Sequence, residues 1–177
     1  MRRWIERALT AILLLVPLSP AAFALELETK HTTVVYDDAR QLGAFTSSVR
    51  MGGLGYLLWG KKSVTAPDEA RNKVDAVVEK VMTILEMVPA EFHFKITLLA
   101  TREDVQAVYK QKFSRLSDFI AFYAPQEQTI YVSVDDVNLA VFSHEVAHAV
   151  IDHYFEVSPP SKIHELLAQY VEAQIAQ

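Results

Sequence analysis

Residues 138–154 run without glycine or proline and are apolar on nearly every side. A helix of that composition cannot lie on a surface with one face in water, so other elements must wrap it, and the rest of the chain must fold around it. The chain has 177 residues, 51% of them apolar, which suffices for one domain with a real core and is too short for two. We therefore expect one α+β domain over 25–177 with this helix at its centre.

The polar residues inside that helix are the informative ones. His144-Glu145-Val146-Ala147-His148 places two histidines four apart, on one helical face, where both imidazoles can be aimed at a single metal ion. Glu145 follows the first histidine by one residue and cannot easily enter the same coordination set. It can instead accept a proton from a water held at the metal. Burying two histidines and a glutamate in an apolar helix is costly without partners, and a divalent cation supplies one.

Zinc in a catalytic site takes three protein ligands and keeps one position open, so a third ligand is required downstream. A third histidine on an extended arm would need glycine at position 151 and histidine at 154, where this chain has Ile151 and Tyr154. Asp152 sits one further turn along the same straight helix, and ligands at i, i+4 and i+8 cannot converge on one ion. Glu165 lies early in the next helix, beyond Pro159 and Pro160, a break that lets the chain fold back on the histidine pair. Glu165 is the expected third ligand, with Glu172, two turns on and on nearly the same face, as the fallback.

Elsewhere the pattern alternates between strand and helix. Thr32–Tyr36 reads as a strand, followed by a helix capped by Asp37 or Asp38 with Ala39, Leu42, Phe45 and Val49 on one face. Four of the five glycines fall in 52–60, which reads as an apolar loop or broken helix with 56–59 packed into the core. Apolar residues from Val74 to Val88 recur at helical spacing over 68–88, with Pro67 and Pro89 as punctuation. A strand at 92–99, a capped helix at 101–112, and two strands at 119–123 and 129–134 forming a hairpin follow. A last helix spans 162–176.

Residues 1–24 carry Arg2, Arg3 and Arg7 ahead of the apolar run 8–16, then two prolines and Ala22-Phe23-Ala24, the layout of a cleavable export signal. The run is too short for an ordinary spanning helix, so contact with a membrane is expected only if the signal is not cleaved. The expected destination is the periplasm or the cell exterior. Without this segment the 17 basic and 22 acidic residues become 14 and 21, a net charge of −7. No basic cluster is present to displace counterions from phosphate backbones, so nucleic acid is not an expected partner. The absence of cysteine excludes disulfides, thiol catalysis and lipid attachment through sulfur.

The run His164-Glu165-Leu166-Leu167-Ala168-Gln169-Tyr170, taken with His144-Glu145-x-x-His148, resembles the gluzincins, the thermolysin-like zinc metallopeptidases whose second helix carries Glu-Gly-Leu-Ala-x-Tyr. The small bacterial domains described as peptidase MA-like are similar too. The resemblance is good over 130–172 and loose over the remainder. It implies a zincin-like fold: a mixed twisted sheet packed on helices, the active-site helix followed by a glutamate-bearing one. It also implies that the strand at 129–134 lies along the cleft and pairs with an extended substrate, with Tyr131 or its neighbours lining the groove. Leu166 replaces the usual glycine, and Gln169 stands where an acidic partner is common. Larger relatives take a histidine or tyrosine from a C-terminal domain to stabilise the tetrahedral intermediate. Here His153, His164, Tyr123, Tyr154 and Tyr170 are the substitutes to weigh.

The expected function is zinc-dependent hydrolysis of peptide bonds in a peptide or protein substrate, endopeptidase before exopeptidase, with His144, His148 and Glu165 as ligands and Glu145 activating a zinc-bound water. The competing expectation is a non-catalytic zinc-containing module that binds a peptide or acts as a scaffold. A deformylase reading fits poorly, because it requires a cysteine ligand.

Overall fold

The computed structural model describes residues 24–175, and the expected export signal, apart from its last residue Ala24, lies outside them. The described chain is α+β: a mixed five-stranded sheet with helices packed on both faces. Strands β1 (Leu25–Glu28), β2 (Thr32–Tyr36), β3 (Phe94–Leu99), β4 (Ala121–Ala124) and β5 (Thr129–Ser133) are ordered β1-β2-β3-β5-β4. β2, β3 and β5 run parallel, and the two outer strands are antiparallel to their neighbours.

The register lines up Leu27, Val34, Ile96, Ile130 and Tyr123 in one row across the sheet. Because side chains alternate along a strand, this row and its neighbours two residues away face one layer of helices. That layer holds α1 (Ala39–Ser48), α2 (Ala66–Leu85), α4 (Leu139–Tyr154) and α5 (Ser161–Ile175). The other face is covered by α3 (Arg102–Phe113), where Val105, Phe122 and Ala124 form a smaller core with Tyr109 and Tyr131 against it.

The composition of α4 is explained by its surroundings. It touches β4 and β5 on one side, α2 on another and α5 on a third, so Phe142, Val146, Ala147, Ala149, Val150 and Ile151 are all fully buried. Phe142 meets Phe45 of α1 edge to face, 5.3 Å between ring centres, a favoured aromatic geometry. Asn138 caps the helix by accepting the Val141 N–H at 3.0 Å.

Several boundaries differ from the sequence reading. Pro67 stands inside the first turn of α2 rather than before it, because Thr65 and Asp68 form a capping box and the missing proline N–H would be unpaired there in any case. The glycine-rich stretch forms a 3₁₀ helix, Gly52–Leu58. Its Leu54, Leu57 and Leu58 pack on the core, whereas Tyr56 and Trp59, expected inside, are exposed. The short alternation Leu25–Glu28 is a strand that the pattern left unassigned. The predicted hairpin forms, turned by Pro125–Glu127 with Gln128 at φ 48°. Its consequence corrects one expectation: β4 returns along β5 and covers it, so the free edge belongs to β4 and not to 129–134.

Candidate metal centre

The α4 helix presents His144 and His148 toward α5, and the turn at Pro159 and Pro160 brings Glu165 back over them. Pro160 starts α5 by offering its carbonyl to the N–H groups of Ile163 and His164, which sets Glu165 in the first turns. The Nε2 atoms of His144 and His148 are 3.2 Å apart, and Glu165 oxygens stand 3.5 Å from the first and 3.4 Å from the second. Donor atoms held about 2.0–2.1 Å from a tetrahedral zinc are separated by roughly 3.3–3.4 Å. The three side chains therefore already stand at the mutual spacing that such an ion requires.

Protonation supports the same reading. Burial, reinforced by the neighbouring imidazoles of His144 and His164, pushes His148 down to about 3, so at neutral pH the ring is uncharged, the form in which an imidazole binds a metal. Glu172 lies on the far side of His144, one carboxylate oxygen 3.3 Å from Nδ1. A carboxylate only accepts, so Nδ1 is the protonated nitrogen, and in the neutral ring Nε2 carries its lone pair inward. Two imidazole nitrogens and a carboxylate thus converge on one point, an arrangement that a cation fits. Among the described residues this is the group of histidine and acidic side chains placed to hold a metal.

Glu172, the fallback ligand, is thereby located behind the histidine pair rather than beside it. Its position seven residues after Glu165 was readable as a shared helix face, but which nitrogen it meets was not. Nδ1 of His148 faces Nδ1 of His164 at 3.5 Å, the two rings nearly parallel, and His164 Nε2 lies 2.9 Å from the Ser158 hydroxyl. The sequence offered no signal for this second contact, which depends on how the 155–160 connection folds.

Glu145 is buried beside the triad. Burial raises its carboxyl to about 8, against a hydrogen bond from the Tyr123 N–H of β4 that favours the charged form; the nearby Glu165 charge adds to the rise. Burial thus brings the Glu145 carboxyl toward neutrality, which suits proton transfer. Asp152, excluded above as a ligand, accepts a hydrogen bond from the Tyr123 hydroxyl at 3.1 Å and so ties α4 to the edge strand.

These groups share a cleft of about 760 Å³ that includes His144, Glu145, His148, Asp152, Glu165 and Tyr123 in its walls and extends to Phe119 and Pro125. Of the side chains weighed as substitutes for a C-terminal donor, Tyr123 and His164 line it. His153 instead donates its Nδ1–H to the Ala149 carbonyl and packs on Phe92, while Tyr154 meets Phe155 edge to face. Tyr131, expected along the groove, lies on the opposite face of the sheet, against Phe122 and Glu127. The chain matches no protein-family model, and no curated protein or solved structure matches it with statistical significance.

Proposed function

We propose that this chain is a zinc-dependent peptidase of zincin-like architecture, acting outside the cytoplasm on a peptide or protein substrate. The observation that carries the proposal is the convergence of His144, His148 and Glu165 donors at 3.2–3.5 Å with the buried Glu145 carboxyl alongside. The mixed sheet with an antiparallel edge strand beside α4, and α5 folding back with its glutamate, support the architectural part.

His144, His148 and Glu165 would hold the ion, which when bound supplies a Lewis acid able to acidify water and polarise a carbonyl. Glu172 fixes the tautomer and orientation of His144 through Nδ1. Glu145 takes the proton from the attacking water and delivers it to the departing amine. The free edge of β4, whose Tyr123 N–H donates to Glu145, would offer its other backbone groups to an extended peptide running past that carboxyl. Tyr123, held by Asp152, borders the same space.

Measurement of zinc content in the purified protein tests the metal assignment. About one zinc per chain is expected, with strong loss in His148→Ala and Glu165→Gln. Glu145→Gln should keep its zinc and lose peptide cleavage. Retention of both zinc and the full biological effect in Glu145→Gln would point to the non-catalytic binding module instead.

A further inference from the structure

Residues 50–67 differ from the rest of the chain in charge and in exposure. They include Arg50, Lys61 and Lys62 and no acidic residue, although acidic residues exceed basic ones in the whole sequence, 22 to 17. Trp59 is 90% exposed, Val64 86% and Tyr56 58%. Single exposed apolar residues are ordinary on protein surfaces, but here three fall within nine positions, 56–64, that also hold Lys61 and Lys62, with Arg50 a little before them. The loop is held in place: Leu54 is buried, Leu57 and Leu58 pack on the core, and the Asn72 side-chain amide donates to the Lys62 carbonyl at 3.2 Å and lies 3.0 Å from the Ser63 hydroxyl.

Among the described residues, none of the three cations is taken up in a salt bridge. Asp68 pairs with Arg71, Glu69 with Lys73, and Glu79 with Lys30, so the nearby acids of α2 already have partners, although Glu79 also feels the charge of Lys61. The hollow beside Tyr56 is about 240 Å³, below the usual range of roughly 300–1,000 Å³ for a small-molecule site, and so does not explain the exposed aromatics. Tryptophan and tyrosine are the side chains that settle at the headgroup level of a bilayer, and lysine and arginine add attraction to anionic lipids.

We propose that the 50–64 segment seats the protein on an anionic phospholipid surface, with Tyr56 and Trp59 in the headgroup layer and Arg50, Lys61 and Lys62 against the phosphates. This is a peripheral contact through a loop: no described helix is long and apolar enough to cross a membrane. It is independent of the metal site and would stand if the peptidase proposal failed.

The sequence contains two tryptophans, Trp4 and Trp59, so Trp59 is the sole reporter in full-length protein carrying Trp4→Phe. On vesicles containing phosphatidylglycerol, Trp59 emission should shift to the blue and be quenched by lipids brominated on the acyl chains near the headgroup. Added salt should reverse the effect. At about a kcal/mol per cation, Lys61→Gln with Lys62→Gln should lower the vesicle partition coefficient at least roughly tenfold. Equal shifts on purely zwitterionic vesicles, insensitive to the lysine substitutions, would overturn the proposal. So would co-sedimentation without any change at Trp59, which would leave membrane contact to the 8–16 run alone. A shift provoked by polyglutamate and not by vesicles would overturn it in favour of an acidic protein partner.

Discussion

Glu172 reaches His144 from behind: its carboxylate lies 3.3 Å from Nδ1 while Nε2 of the same ring points at His148 and Glu165. The contact spans the α4–α5 interface and makes the direction of a proposed ligand depend on a residue that would not touch the metal. Outer carboxylates of this kind typically contribute about 10–100-fold to metal affinity. Glu172→Ala is expected to weaken zinc binding by that order in chelator competition, and Glu172→Gln, which keeps an acceptor, by less. Glu165→Gln should cost more than either.

The buried Glu145 carboxyl predicts a pH dependence of the metal-free fold. Its folded value of about 8 lies above the ordinary 4.5, so below pH 4.5 both states are protonated and burial carries no charge penalty. As pH rises from about 4.5 to about 8, the unfolded chain releases the proton more readily and stability is lost; above 8 the full penalty remains. Urea unfolding in the presence of chelator should therefore show Glu145→Gln gaining on the wild type across that window. His148 acts in the opposite sense: its lowered value means that stability present above 6.5 is lost as pH falls toward 3.

Tyr123 donates its hydroxyl to Asp152, and burial followed by the Asp152 charge raises its pKa well above the ordinary range. Absorbance titration of the phenols should leave Tyr123 un-ionised until alkali unfolds the chain. Tyr123→Phe should remove one late-titrating phenol and cost about 0.5–1.5 kcal/mol for the lost hydrogen bond.

Phe142 is completely buried in the first turn of α4 and packs edge-on against Phe45. Replacement by alanine leaves a cavity that the surrounding sheet and helices cannot close, so Phe142→Ala should destabilise the fold by about 3–5 kcal/mol in denaturant titration. Zinc binding by the fraction that remains folded should be little changed, because Phe142 does not line the cleft.

Most helices were legible because local signals agreed. Asp38 and Thr101 cap helices that the pattern already read as capped there, and Asn138 caps α4 at the start of the apolar run, each side chain accepting a backbone N–H of the first turn. Within the glycine-rich stretch only the two aromatics depart from the reading, for a physical reason: aromatic residues are usually buried, but Tyr56 lies within and Trp59 just after a tight 3₁₀ helix whose buried face is taken by leucines. Tyr131 was misassigned because alternation along a strand gives two faces without saying which is which. Only pairing with β3 and β4 decides that Ile130 and Val132 face α4 while Tyr131 faces α3.

The sequence by itself determined that 138–154 is a central helix, and that His144 and His148 share a face of it, because helical periodicity is local and burial of so apolar a segment is unavoidable. What only the tertiary structure decided is how partners from distant segments meet that face. Glu165 and Glu172 stand on the same side of α5, yet one joins the two Nε2 atoms and the other takes the outer nitrogen of His144. The order of strands, which gives the free edge to β4 instead of β5, is likewise set by long-range hydrogen bonding. Such choices depend on the angle and offset at which α5 packs against α4 and on the path of the chain between strands, quantities that no spacing along the sequence encodes.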